Sequence, residues 1–248
     1  MPLRDARTDW QALTPEAIPT KTNLDSLEIF LNEITARFGK EGPPLILDAG
    51  CGVGVVSRYI HAKGFSVIGV DINASAIKKA REFKAPSKEL PARPIDFIHG
   101  DINGLASHTI PTEAFSGVVC QLLISIVGTE DDRAALLASS FMALRPGGHL
   151  YLSASGVSND INPMYAQAYE SDRPLTKEPY TYLSRDQEGR ALYATHHFSE
   201  DELERLMRQA GFVDIHIDMK METSSRRKNQ SAYFYYCSCH KPGNAHEF

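Results

Sequence analysis

The chain has 248 residues, 42% of them hydrophobic, enough to bury the core of one sizeable α/β domain carrying an insertion. Its net charge of −5 gives no general attraction to nucleic acid or to an anionic membrane, which argues against partners of either kind. No apolar stretch approaches the ~20 residues needed to cross a bilayer, and Arg4, Asp5, Arg7 and Asp9 interrupt any signal-peptide pattern, so a soluble, cytoplasmic protein is expected.

Residues 1–22 hold Pro2, Pro15, Pro19 and the only tryptophan, Trp10, without clear periodicity, which reads as an arm or a short helix. From Asn23 to Phe38 the apolar residues Leu24, Leu27, Leu31, Ile34 and Phe38 recur at helical spacing, and Phe30 widens the stripe. Residues 1–40 therefore form an N-terminal arm and helix, stopped by Pro43-Pro44. Leu45-Ile46-Leu47-Asp48-Ala49 then reads as a buried strand ending on an acid. It runs into Gly50-Cys51-Gly52-Val53-Gly54, a turn that lets a ligand approach the backbone. A dinucleotide fingerprint would place its third glycine at position 55, where Val55 stands.

A helix over Val55–Lys63 and a second strand ending at Val70-Asp71 follow. Asp71 lies where an acid accepts hydrogen bonds from ribose hydroxyls; alone it reads better as a cap for the next helix, Ala74–Phe83, and its distance from the glycine turn favours the ribose role. The proline-rich link Ala85–Pro94 leads to a third strand, Ile95–Ile98, and the turn His99-Gly100-Asp101-Ile102. Three strands ending in acid-bearing turns fit the rule that open α/β sheets bind ligands at their carboxyl edges. No Lys or Arg sits in the glycine turn, which suits a ligand without phosphates.

Phe115–Leu122 gives a fourth strand, Asp131–Leu144 a helix opened by acids, Arg145-Pro146-Gly147-Gly148 a turn, and His149–Ser153 a fifth strand. After an insertion, residues 155–195, Ser199 caps a helix with Glu202 three residues on, as in a capping box, and Gly211 ends it. Phe212–Asp218 and Ser231–Ser238 read as an antiparallel pair of strands. Arg226-Arg227-Lys228 between them reads as a solvated hairpin loop. Cys51, Cys120, Cys237 and Cys239 are expected as reduced thiols. Cys237-x-Cys239-His240 lacks a second ligand pair at zinc-finger spacing, so no metal site is expected.

Asp48, Gly50, Gly52 and Gly54 match, position by position, the first motif D-x-G-x-G-x-G of the class I S-adenosylmethionine (SAM)-dependent methyltransferases, which this chain resembles over about residues 36–155 and 196–240. The Leu-x-Pro-Gly-Gly turn before the fifth strand is similar as well. The resemblance implies an α/β, doubly wound, mostly parallel seven-stranded sheet of order 3-2-1-4-5-7-6 with its last strand antiparallel, helices on both faces and a cap insertion. It implies SAM as cofactor and S-adenosylhomocysteine (SAH) as product. By the same resemblance Asp71, with Ile72 beside it, holds the ribose, and Asp101 accepts from the adenine amino group while Ile102 packs on the ring. Gln121 is a cofactor-edge contact. Many relatives carry a histidine pair just after the fourth strand; this chain reads Leu122-Leu123-Ile124-Ser125-Ile126 there, so that role does not carry over.

Methyl transfer from a sulfonium is an in-line displacement in which alignment and exclusion of water supply most of the rate. The insertion holds Tyr165, Tyr169, Tyr180, Tyr182 and Tyr193, half of the chain's tyrosines, and reads as a lid over a small aromatic or heterocyclic metabolite. Its alternative is self-packing or a homodimer contact. Trp10 lines the active site or anchors the core. If a base is needed, His196 and His197 are the catalytic candidates, titrating in the useful range; His149 and His61 lie inside regular elements. O- or N-methylation in small-molecule biosynthesis is the expected activity. A nucleic-acid or protein methyltransferase, a non-catalytic SAM-binding module and a NAD-dependent oxidoreductase are the alternatives.

Overall fold

The computed structural model describes residues 10–18, 23–82, 94–104, 110–186, 188–223 and 230–243. The basic run Arg226-Arg227-Lys228, most of the 85–94 link and residues 1–9 and 19–22 of the arm lie outside the described residues. Five parallel strands, β1 (Leu45–Ala49), β2 (Ser66–Asp71), β3 (Ile95–His99), β4 (Phe115–Gln121) and β5 (Leu144–Ser155), build the sheet. A cap hairpin, β6 (Thr181–Arg185) and β7 (Ala191–His196), pairs separately. The long strands β8 (Val213–Thr223) and β9 (Ser231–His240) complete the sheet, with β9 antiparallel to both neighbours. The order is β3-β2-β1-β4-β5-β9-β8, the order implied by the resemblance once the cap hairpin is set aside.

Both faces are covered because successive strand residues point to opposite sides, and here both sides are apolar. Ile46, Val119 and Tyr151 pack with Leu27, Phe30 and Ile34 of helix α1 (Asp25–Phe38) and Ile60 of α2 (Val55–Ala62). Their neighbours Leu47, Val118 and Leu150 pack on the other face with Leu136 and Leu137 of α4 (Glu130–Ala143) and Leu203, Leu206 and Met207 of α6 (Glu200–Gln209). Helix α3 (Ala74–Glu82) closes a smaller cluster through Ile77, Ala80 and Phe97. Cys237 and Cys239 share the β9 face that joins the second core, while His240 stacks on His149 with ring centroids 5.3 Å apart.

Two elements differ from expectation. The fifth strand begins at Leu144, which pairs with Phe115, and the ladder resumes only at His149 opposite Gly117. Arg145–Gly148 therefore bulge from the strand edge, with Gly147 at φ +71°, instead of forming a separate turn. In the insertion, Asn162 caps helix α5 (Pro163–Thr176), its Oδ1 accepting the Met164 N–H at 3.2 Å ahead of a proline in the first turn. A left-handed Lys177 at φ +62° ends it. Ser199 Oγ accepts the Glu202 N–H at 3.2 Å, but the Glu202 carboxylate goes to His196, so the capping box forms only in one direction. No helix among the described residues is long and apolar enough to cross a membrane.

Candidate functional site

The chain leaves β1 through three left-handed residues, Gly50, Gly52 and Gly54, at φ +71°, +53° and +79°. Side chains rarely adopt that conformation, and two of the positions also lack room. A Cβ on Gly50 would lie 2.7 Å from Leu123, and one on Gly54 2.7 Å from the Phe97 ring. The turn is tied to the end of β2: the Gly50 and Cys51 N–H groups donate to Val70 O at 2.8 and 3.0 Å. Arg58, one turn into α2, folds back to donate to Val53 O at 2.9 Å.

Asp71 is fixed from both sides. Its Oδ2 accepts the Gly52 N–H and its Oδ1 the Asn73 N–H, both at 2.8 Å. A carboxylate has about four acceptor positions, so this arrangement orients the group and leaves capacity for two further donors, as adjacent ribose hydroxyls require. Burial raises its pKa against those stabilising bonds. Asp48 lies deeper, at 1% exposure, between Gly69 of β2 and Val119 of β4. Burial pushes its carboxyl up to about 7, against the lowering effect of Ser57, whose Oγ donates to Oδ2 at 2.5 Å.

Asp101 closes the turn after β3 by accepting the Asn103 N–H at 2.9 Å, and Ile102 beside it is buried. The turns after β2 and β3 interlock through Gly100 N–H to Asp71 O, 3.0 Å. At the end of β4 the Gln121 amide reaches Asn23 O at 3.5 Å. Leu122 is held at φ +54° and donates its N–H to Ser153 Oγ at 2.9 Å.

One cavity of about 410 Å³ runs along this edge and under the cap, a size typical of small-molecule sites. Of the residues singled out from sequence, Asp48, Gly50, Gly52, Asp71, Ile72, Asp101, Ile102 and Gln121 line its sheet side. Trp10, Tyr165, Tyr182 and His197 line its cap side. Four others stand off the wall. Gly54 caps α2 beneath Phe97. Tyr180 sits at the surface. Tyr169 stands behind His197, its hydroxyl 2.6 Å from Nδ1.

His196 is the fourth and the clearest correction. Its two ring nitrogens meet Thr181 Oγ1 at 2.7 Å and the Glu202 carboxylate at 3.1 Å, so it braces the cap hairpin against α6. Adjacent residues at a strand end face opposite ways, which sends His197 to the cavity, packed against Tyr165 and Tyr182. Burial pushes the Tyr169 phenol up, keeping it a neutral hydroxyl against the imidazole.

The wall also contains groups with no signal in sequence: Ser184, Arg185 and Thr195 on the cap hairpin. Behind the wall, and equally without a signal in sequence, Asn73 donates from Nδ2 to Trp10 O and Leu13 O at 2.8 Å while its Oδ1 caps α3 through the Ala76 N–H. It pins the 10–18 segment beside the Asp71 turn. Ile18 of that segment lies over Gly52, and the Trp10 ring rests on Tyr193, centroids 4.4 Å apart.

Residues 26–217 match the family model described as a methyltransferase domain. A solved SAM-dependent methyltransferase from Methanosarcina mazei is 30% identical, with a TM-score of 0.72 over 81% of this chain and 93% of that one. The fold is shared, at 17% identity and a TM-score of 0.61, with 1,6-didemethyltoxoflavin-N1-methyltransferase of Burkholderia thailandensis, solved with SAH; 95% of this chain and 87% of that one are covered. Among curated proteins, carboxy-SAM synthase of Enterobacter is 30% identical over 55% of this chain and 52% of its own length. A SAM-dependent Diels-Alderase from Talaromyces variabilis is 31% identical over 68% and 53%. The chain thus spans about half the length of the curated relatives it matches.

Proposed function

This chain belongs to the class I SAM-dependent methyltransferases, and from that premise we propose that it methylates an oxygen or nitrogen atom of a small aromatic or heterocyclic metabolite. The observation that carries the proposal is the single cavity in which the Asp71 turn and the Tyr165–Tyr182–His197 cap face each other. The donor set fits the cofactor: a glycine turn without room for side chains, a carboxylate pre-aimed by two backbone N–H groups, and no lysine or arginine on the sheet side of the wall.

Asp71 would hold the ribose, Asp101 and Ile102 the adenine, and Asp48 would set a negative charge beneath the turn. When bound, SAM supplies an electrophilic methyl group. The chain's task is then alignment and exclusion of water. Residues 10–18 and the 155–195 cap close the cavity from two sides, and the apolar Leu122-Leu123 run fills the position where many relatives carry histidines. His197 would take the acceptor's proton at Nε2, with Nδ1–H donating to the Tyr169 hydroxyl oxygen and so keeping Nε2 unprotonated.

A labelled-methyl assay over phenolic, amine and heterocyclic metabolites, with mass spectrometry of the product, tests this. Transfer to at least one small planar acceptor is expected. Labelling confined to RNA or protein would overturn it.

A further inference from the structure

Resting on the function just proposed, we infer that the acceptor half of the cavity selects a planar molecule carrying an anionic oxygen, a phenolate, enolate or carboxylate. Arg185 is the residue that selects it, and Asp172 is its positioning residue.

Charge is divided along the cavity. The described wall holds four carboxylates: Asp48 and Asp71 near the ends of β1 and β2, Asp101 in the turn after β3, and Asp132 on α4. The cap side holds none, and Arg185 on β6 is the one lysine or arginine among the described wall residues. A cationic cofactor is drawn to one end and repels a second cation at the other. The rest of the cap side is aromatic or hydroxyl-bearing, through Tyr165, Tyr182, Tyr193, Ser184 and Thr195. That composition suits a flat ring with polar edges.

Arg185 is built to act as a fixed fork. Its Nη1 donates to Asp172 Oδ2 at 2.8 Å and to Leu183 O at 2.9 Å, and its Nη2 donates to Asp172 Oδ1 at 2.5 Å. Asp172 is itself buried, at 3% side-chain exposure, and takes the Leu183 N–H at 2.8 Å, so it cannot turn away. Of the five guanidinium N–H groups, these contacts use three, leaving Nε–H and one Nη2–H to bind a ligand from a side chain that is 39% exposed. Two donors in one plane match the geometry of a carboxylate or an enolate–carbonyl edge. A purely structural ion pair would not need its cation on the wall of the substrate cavity.

The test uses isothermal titration of the full chain saturated with SAH, and two probes of one ring system, 2-naphthoate and 2-naphthylmethylammonium. Charge-assisted hydrogen bonds at such a site are worth on the order of tenfold or more in affinity. The naphthoate is therefore expected to bind at least about tenfold more tightly than the ammonium probe. Arg185→Gln alone strands a buried carboxylate, so the double variant D172N/R185Q is the cleaner comparison; it should bring the two probes within about threefold while leaving SAH affinity unchanged. With SAH bound normally, equal affinities, a preference for the ammonium, no naphthoate binding, or a preference that survives in the double variant would each overturn the assignment of Arg185 alone. Failure of the wild-type chain to bind SAH would instead overturn the methyltransferase function, and this inference with it.

Discussion

Replacing Asp48 by asparagine should make the ligand-free protein more stable at pH 8 than the wild type. The Asp48 carboxyl is buried at 1% exposure, with burial pushing it up to about 7 from an ordinary carboxylate value near 3.8. A folded-state pKa above the unfolded one means that the group favours folding while protonated. That contribution is complete below the unfolded value and is lost as pH rises through the folded value. The full span is about 4 kcal/mol, more than half of which falls between pH 5 and pH 8. For a chain of this length that corresponds to a fall in Tm of about 5–10 °C from this group alone. Thermal unfolding followed by circular dichroism at the two pH values, wild type against Asp48→Asn, isolates it. Ser57 can still donate to the asparagine carbonyl, so the variant keeps the local bond while losing the charge. If both proteins lose the same stability between pH 5 and pH 8, Asp48 does not exchange its proton there, and a carboxylate kept under strain for a cationic cofactor is excluded.

Gly54→Ala forces a methyl group to within 2.7 Å of Phe97 at a left-handed φ, and should cost about 1–3 kcal/mol of stability in urea unfolding together with weaker SAH binding. His196→Ala breaks the Thr181 and Glu202 contacts and should cost about 1–3 kcal/mol while leaving SAH affinity within twofold, read by unfolding and calorimetry on one sample. Tyr169→Phe leaves the cavity wall intact and removes one hydrogen bond to His197. The pH profile of methyl transfer should move while SAH binding and fold stay close to wild type, stability changing by only about 1 kcal/mol.

The sheet and the turns at its carboxyl edge were legible in sequence because each depends on local rules. Glycines at positions 50, 52 and 54 mark backbone that other residues would strain, and apolar runs closing on Asp48 and Asp71 mark buried parallel strands. The cap was not legible. Its helix opens on Asn162-Pro163, a readable start signal, but carries Pro174 inside and pairs with a hairpin whose register follows from tertiary contacts. His196 and His197 are indistinguishable by residue type; only the pairing of Thr181 with His196 decides which ring faces the cavity. Asn73 and Arg185 gave no signal, since their roles come from partners 60 residues away at Leu13 and 13 residues away at Asp172. The Arg145–Gly148 segment reads in sequence as a turn before the fifth strand but forms a bulge within β5. The strand begins before it because Leu144 pairs with Phe115, a contact that no local pattern encodes.

Calorimetric titration with SAH, on the wild type and on Asp71→Ala, bears most directly on the assignment of the ribose-binding carboxylate. Micromolar binding by the wild type is predicted. Loss of two charge-assisted hydrogen bonds should weaken the variant by about 100-fold or more, with its circular dichroism spectrum unchanged. A wild type that takes up no SAH, or a variant that binds as tightly, would contradict it.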